Sequence, residues 1–596
     1  MCRYTYFRHW NGSLWSWAWV PMLLLSGALT ACSNSPSSST ASQQADGRRT
    51  VAFADVTQAA GLADFHHQTG AFGEKWFPET MGSGGGFIDY NGDGHLDVLL
   101  VGGGAWAESD TPLDRALWLY RNNGDGTFTL ATEEAGLGAV DAYGFGVVAA
   151  DYDNDGDQDF LFTTLNRNLL FRNEGDGTFT EVGRAAGLNA PPRWSSSAVF
   201  FDANRDGFLD LYVGNYVLWS KDTDLFCSVD GTTKGYCTPE QYEGADARFY
   251  LNNGDGTFTD RTEAAGFLPT PGKTLGVSML DYNEDGWIDL AVANDQERDL
   301  LYENNGDGTF TERGVASGIA YSEDGVARAG MGIDAGVVDT TGETSVFVGN
   351  FSREMIGVYR HLRNGLFTDR ATISQVGRSS LLSLTFGLFL VDAELDGDLD
   401  LFAANGHVQA DIEEVSSVIR YRQPAQLFLN DGTGRFEEMP ARSGPFALPL
   451  AARGAAYGDY DRDGDVDLLI TENDGKSFLW RNDVRPTAAV ERPHYLRVHL
   501  TGTESNRDGI GARVELEADG EVQERLVRSG SSYLAASELA VTFGLGATAQ
   551  VDRLTVHWPS GQTDRIRDVE ANQAVYVVEG DGMRSDPPLA AATASP

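Results

Sequence analysis

Short apolar runs alternate with polar, turn-forming clusters along most of the chain. DVLLV (97–101), DLYVG (210–214) and DLAVA (289–293) each emerge from an aspartate-rich stretch. A second kind of run enters an Asn-Gly or Asp-Gly turn and leaves through Thr-Phe. It reads LYRNNGDGTF from 119, LLFRNEGDGTF from 169, FYLNNGDGTF from 249 and LYENNGDGTF from 301, with weaker forms VYRHLRNGLF at 358 and LFLNDGTGRF at 427. This pattern predicts strand, tight turn, strand. A third signature follows each turn: FTLATEEAGL, FTEVGRAAGL, FTDRTEAAGF and FTERGVASGI.

The aspartate-rich stretches are repeats. They read DYNGDGHLD from 89, DYDNDGDQD from 151, DANRDGFLD from 202, DYNEDGWID from 281, DAELDGDLD from 392 and DYDRDGDVD from 459. A seventh position, DTTGETSVF from 339, has lost the pattern. The outer two starts lie 459 − 89 = 370 residues apart over six intervals, about 62 each, which is the spacing of an array built from one supersecondary unit. Each unit reads strand, acidic loop, strand, strand, Asn-Gly turn, strand. The last unit stops at FLWRND (478–483) without its final strand, and FADVTQAAGL at 53 supplies a spare one before the first acidic loop. A closed ring explains the displacement, because the first strand then completes the last unit and no sheet edge stays open. The expected architecture is all-β: a seven-bladed β-propeller over 51–484, followed by a small β-sandwich-like domain. An open solenoid leaves the displaced strand unexplained.

Counting the loop from zero, offsets 0, 2 and 4 carry Asp, Asn or Glu in six copies. These are Asp89, Asn91, Asp93; Asp151, Asp153, Asp155; Asp202, Asn204, Asp206; Asp281, Asn283, Asp285; Asp392, Glu394, Asp396; and Asp459, Asp461, Asp463. Offset 5 is glycine, which permits a sharp reversal. Offset 8 is Asp97, Asp159, Asp210, Asp289, Asp400 or Asp467. Alternate side chains turned inward converge their oxygens. The backbone carbonyl at offset 6 (His95, Asp157, Phe208, Trp287, Asp398, Asp465) and a bidentate carboxylate at offset 8 complete six or seven ligands, a set that suits Ca²⁺. An EF-hand needs Glu at offset 11, and that position is apolar in all six copies. The expected complement is about six calcium ions. The alternative is an Asx-rich turn held by its own hydrogen bonds.

Charge fits this reading. Forty-four Lys and Arg face 87 Asp and Glu, for a net charge of −43 over 596 residues. Such a surface repels nucleic acid and anionic lipid and attracts cations. The N-terminus has Arg3, Arg8 and His9, then an apolar run from Leu14 to Ala28, the form of a secretory signal and short for a membrane span. Leu29-Thr30-Ala31-Cys32 resembles a bacterial lipobox, which implies a signal peptide over 1–31 and a lipid on Cys32 as the sole membrane attachment. SNSPSSSTASQQADG then reads as part of a flexible tether, 32–50. Cys227 and Cys237 form a disulfide in an exported compartment, or remain two free thiols.

Residues 490–580 alternate apolar and polar positions (Leu496/Val498/Leu500, Val514/Leu516, Val541/Phe543/Leu545, Leu554/Val556/Trp558), as strands with one buried face. NRDGIG (506–511) is a plain turn or a further cation turn. The Pro/Ala/Ser-rich tail 581–596 is expected to be disordered.

The acidic loops resemble FG-GAP/VCBS repeats, the calcium-bearing blades of integrin α-subunit propellers. HHQTGAFGEKWFPETMGSGGGFIDYNGDG (66–94), SEDGVARAGMGIDAG (322–336), ANGHV (404–408), YRQP (421–424) and the region around YCTP (236–239) resemble bacterial relatives of cartilage acidic protein. TGTESNRDGIGARVEL, SGSSYLAASE, FGLG and VHWPSGQ resemble the ASPIC/UnbV domain. The resemblance implies a secreted or surface-anchored calcium-binding propeller. Members commonly keep an acidic loop in the fifth blade. Here Phe347 stands at offset 8, and no metal is assigned to Asp339.

No HExxH, GxSxG or nucleotide fingerprint occurs, and His66, His67 and His407 read as structural, so an enzyme is not expected. The leading expectation is an envelope-anchored, extracytoplasmic module that binds a protein or glycan, or mediates adhesion, through long loops such as 213–248 and 409–426. The rivals are a hydrolase or redox enzyme using the central channel, and a purely structural envelope protein.

Overall fold

The computed structural model describes residues 51–585, apart from 110–112, 229–230, 268–270, 363, 441–443 and 485–491. The signal segment, Cys32 and the tether to residue 50 lie outside the described residues, as do residues 586–596.

Seven four-stranded antiparallel blades follow one another in the chain. Their first strands are Gly85–Ile88, Gly144–Ala150, Ser195–Phe201, Thr274–Leu280, Ile333–Val337, Thr385–Val391 and Ala452–Gly458. Each packs against the next, and the last packs against the first, so the strands form a closed ring around an axis. Phe53–Asp55 supplies the outer strand of blade seven, pairing with Ser477–Asn482 in the register Phe53↔Asn482. The N-terminal strand thus closes the ring, as its displacement in the sequence implied.

Neighbouring blades grip each other by a repeated contact. The outer-strand phenylalanine of one blade reaches the aromatic ring at offset 1 of the preceding acidic loop. Phe179 packs on Tyr90 at 6.3 Å between centroids, Phe258 on Tyr152 at 5.6 Å and Phe128 on Tyr460 at 5.6 Å. The Thr-Phe ending of the hairpin signature is therefore an inter-blade anchor.

The C-terminal domain is a sandwich of two four-stranded sheets. One carries His494–Thr501, Val541–Gly546, Gln573–Val578 and Gly582–Arg584. The other carries Arg513–Ala518, Glu521–Leu526, Gln550–His557 and Thr563–Glu570. The tail expected to be disordered from 581 is ordered in its first residues. Gly580, at φ 77°, turns the chain so that Gly582–Arg584 adds an edge strand to Gln573–Val578.

This domain also enters the propeller. Residues 528–538, part of a strand-poor connection, run along the axis. Ala535–Ala536 pairs in parallel with Gly85–Gly86 of blade one. Ser529 Oγ donates to the Phe200 carbonyl at 2.6 Å, Ser532 Oγ to the Ala455 carbonyl at 2.9 Å, and Tyr533 Oη to the Met81 carbonyl at 2.7 Å. The Leu534 carbonyl accepts from the Gly85 and Val147 amides. Glycine makes room for this plug. A Cβ on Gly84 would lie 2.2 Å from the Leu534 oxygen, and one on Gly86 2.3 Å from that of Ala536.

At the end of the axis near Tyr533 lies an aromatic cluster of Trp76, Phe77, Trp106, Tyr143, Trp194 and Trp219. Cys227 and Cys237 are disulfide-bonded within the 213–248 insertion. Trp219 of that insertion lies 5.9 Å from Trp106.

Candidate metal centres

All six acidic loops share one hydrogen-bond scheme. The carboxylate at offset 0 accepts from the amides at offsets 4 and 5. For Asp151 these are Asp155 at 3.1 Å and Gly156 at 2.8 Å; for Asp459 they are Asp463 at 3.1 Å and Gly464 at 3.0 Å. The carboxylate at offset 4 accepts from the amide at offset 6, as Asp155 does from Asp157 at 3.0 Å. Offset 8 joins the loop to the blade. Asp159 accepts from the Tyr152 amide at 3.1 Å and from the Asn173 amide on the third strand at 2.7 Å. Asp97, Asp210, Asp289, Asp400 and Asp467 repeat both bonds. The hairpin that opens each acidic loop is thus held by its own backbone, and the acids are left with free lone pairs.

The donor set fits a hard cation. Asp151, Asp153 and Asp159 place oxygens within 4.8 Å of one another, and so do Asp459, Asp461 and Asp463. One oxygen each of Asp153 and Asp461 is buried without a hydrogen-bond partner. Burial pushes the Asp97 carboxyl up to about 8 and those of Asp159, Asp210, Asp289, Asp400 and Asp467 well above the carboxylate range. A buried carboxylate beside like charges demands a counter-charge. Acidic clusters able to hold a metal are therefore present where the spacing placed them.

Sequence reasoning missed a second residue series. The first asparagine of each turn signature faces the outer-strand phenylalanine and reaches across to the preceding blade. Asn173 Nδ2 donates to the Tyr90 carbonyl at 2.8 Å, Asn252 to Tyr152 at 2.8 Å and Asn304 to Ala203 at 2.8 Å. Asn122, Asn430 and Asn482 do the same toward Tyr460, Val338 and Ala393. In five cases the residue reached is the offset-1 neighbour of a loop aspartate, so the asparagine ties five of the six acidic loops to the next blade; Val338 instead precedes Asp339. The signal was visible as an asparagine repeated ahead of the Gly-Asp-Gly turn, but local turn chemistry explained it equally well. Asn252→Ala is expected to cost about 2–3 kcal/mol, since it removes bonds to two buried carbonyls and one from the Gly254 amide. The exposed neighbour Asn253 bonds only threonine hydroxyls, and Asn253→Ala should cost under about 0.5 kcal/mol. Denaturant midpoints of the two variants check this difference.

Blade five replaces the scheme. His361 occupies the asparagine position opposite Phe367, with Nδ1 2.6 Å from Glu343. Asp339 is ion-paired with Arg360, so a guanidinium sits beside the acid that begins this degenerate loop.

The C-terminal domain covers four of the six loops. Asp508 accepts from the Asp151 amide at 2.7 Å, and Arg507 donates its amide to Asn154 at 2.8 Å. Glu504 packs against Gly207 of the third loop. The Gly544 amide donates to Asp392 at 3.0 Å, and Arg525 to the Gly397 carbonyl. Arg497 lies 3.3 Å from Asp459, and Arg492 3.0 Å from Asp463. Asp151, Asp202, Asp392 and Asp459 are buried in consequence, whereas Asp89 and Asp281 stay partly open. NRDGIG is a turn closed on itself, with Asn506 accepting from the Ile510 amide.

Elsewhere, His67 and His407 are buried, and burial lowers them to about 3 and about 4, so both are neutral packing groups. Trp194, Trp219 and Trp558 are buried, and Trp287 lies under the Arg205 guanidinium at 3.8 Å.

Comparison with known proteins places these features. The FG-GAP-like repeat family matches residues 89–162, 151–213, 221–292, 281–342 and 395–470, and the ASPIC and UnbV family matches 502–584. Cartilage acidic protein 1 of Homo sapiens is 24% identical over 475 residues, covering 74% of this chain and 65% of its own length. The Xenopus tropicalis protein of that name is 23% identical over 450 residues, covering 72% and 64%. The chain thus spans about two-thirds of the length of these relatives. Among solved structures, an Agrocybe aegerita lectin that recognises non-reducing terminal N-acetylglucosamine aligns with a TM-score of 0.37 and 17% identity, over 66% of this chain and 87% of the lectin. With the repeats matched across more than half its length, the chain belongs to the FG-GAP-like repeat family and carries an ASPIC and UnbV domain docked on its propeller.

Proposed function

We propose that this protein is a calcium-loaded binding module that works outside the cytoplasm, tethered to the bacterial envelope by a lipid on Cys32. One observation carries the reading. In six blades a buried offset-8 aspartate is fixed by two backbone amides at the end of a glycine turn, and in the loop at 151 its oxygens lie within 4.8 Å of those of Asp151 and Asp153. Asp, Asn and Glu side chains at offsets 0, 2, 4 and 8 would hold the ion with the offset-6 carbonyl, and an all-oxygen, flexible set favours Ca²⁺ over Mg²⁺. The ions serve structure, since they sit on the covered face between propeller and C-terminal domain. That leaves the opposite face for a protein or glycan ligand. There the disulfide-stapled insertion presents Leu218, Leu225 and Phe226 to solvent. What weighs against a channel enzyme is that residues 529–536 fill the axis with buried side chains. No described helix is long and apolar enough to cross a membrane.

The test is a calorimetric calcium titration of chelator-treated protein. About six ions should bind, with affinities in the 10⁻⁴–10⁻³ M range or tighter. Two classes are expected. The open loops at Asp89 and Asp281 should exchange calcium quickly, and the four covered loops slowly. Equal binding of magnesium at these concentrations, or no heat, would refute the assignment.

A further inference from the structure

A groove of about 1100 Å³ between blades five and six gathers positive charge on this anionic molecule. Four arginines line it: Arg360, Arg370, Arg378 and Arg435. Arg360 is engaged with Asp339 and the Gly434 carbonyl. Arg370, Arg378 and Arg435 are exposed, and no ion pair holds any of them among the described residues. Two acids line the groove, Glu343 and Glu437, and Glu343 is held by His361. Asp431, on the hairpin of Arg435, accepts from Thr433 and also feels the Arg435 charge, though the two are not within ion-pair distance.

The position has a physical logic. Blade five is the one blade whose loop lacks acids at offsets 2 and 8, and the two it keeps are engaged, Asp339 by Arg360 and Glu343 by His361. The Asp339–Arg360 pair keeps the degenerate loop neutral. An anionic ligand repelled everywhere else on the surface meets a local positive field here. Three unpaired guanidinium forks suit carboxylate or sulfate groups, which they bind bidentately.

We propose that this groove binds an acidic polysaccharide, a sugar chain bearing carboxylate or sulfate groups. The volume reaches the upper end of the roughly 300–1,000 Å³ typical of small-ligand clefts, so it accommodates a chain segment and not a lone anion. The lining favours sugar over acidic peptide. Thr341, Ser374 and Gln375 offer hydroxyl and amide groups, while exposed apolar surface is limited to Leu362 and Ile373. A peptide would need an enclosed apolar pocket for an anchor side chain. This inference rests on the binding-module reading and names one ligand class for it, at a site separate from the insertion loops.

The test measures binding of dextran sulfate, polygalacturonate, uncharged dextran and polyglutamate to the calcium-loaded full chain. Both charged polysaccharides should bind and weaken with salt, and dextran should not bind. The triple variant Arg370→Glu, Arg378→Glu, Arg435→Glu should lose at least tenfold in affinity with its calcium content and melting temperature unchanged. If that variant folds poorly, Arg378→Gln alone should still weaken binding severalfold. No binding, equal binding of dextran, or undiminished binding by the folded variants overturns the proposal. Polyglutamate binding as tight as that of the polysaccharides also overturns it, in favour of an acidic peptide. These failures leave the calcium titration untouched, so they are distinguishable from failure of the proposed function.

Discussion

Stripping calcium with EDTA is expected to lower the melting temperature by roughly 10 °C, with full recovery on adding back calcium. At free calcium ten times the dissociation constant, each site contributes about 1.4 kcal/mol, so six sites contribute about 8 kcal/mol. The structure supports a large effect because the offset-8 aspartates are not surface charges. Asp97, Asp159, Asp210, Asp289, Asp400 and Asp467 are all buried, and each is surrounded by further carboxylates. Without the ion, the folded state must either hold these charges close together or take up protons. The loss should also reach the domain interface, because four loops are covered by the C-terminal domain. Scanning calorimetry with and without chelator decides it. An unchanged melting temperature would mean that the loops are self-sufficient Asx turns.

Asp159→Ala is expected to remove one bound ion per chain and to destabilise the protein even in EDTA. The carboxylate accepts from the Tyr152 and Asn173 amides. Deleting it strands two buried N–H groups at about 1–3 kcal/mol each, or about 2–6 kcal/mol before the ion is counted. Asp339→Ala is the matched control in blade five. It breaks the pair with Arg360 but should leave the metal count unchanged. Elemental analysis of both variants beside the parent protein gives the counts. Equal ion content in Asp159→Ala and the parent would remove that loop from the set of sites.

Much of this was legible without coordinates because the chain repeats itself. A single acidic hairpin is ambiguous between turn and chelator, whereas six with aspartate at offset 8 point to acidic clusters able to hold a metal, and such clusters stand at the loops of 151 and 459. Ring closure was legible from one misplaced strand near Phe53, which pairs where expected. The asparagine series was half-legible. Asn122, Asn173 and their equivalents stand out in the turn signature, yet the carbonyls they reach lie up to 338 residues away in the sequence. Nothing local distinguishes an asparagine that shapes a turn from one that also bridges two blades.

The amino-acid order alone determined the all-β character, the number of blades, the closing strand and the spacing of the acids, because each follows from short-range periodicity. Three-dimensional packing alone decided that residues 528–538 fill the axis, that four loops are covered and two open, and that unpaired arginines converge beside blade five. Those features join segments hundreds of residues apart and leave no periodic trace, since shape and charge complementarity between two folded domains exists only once both have folded.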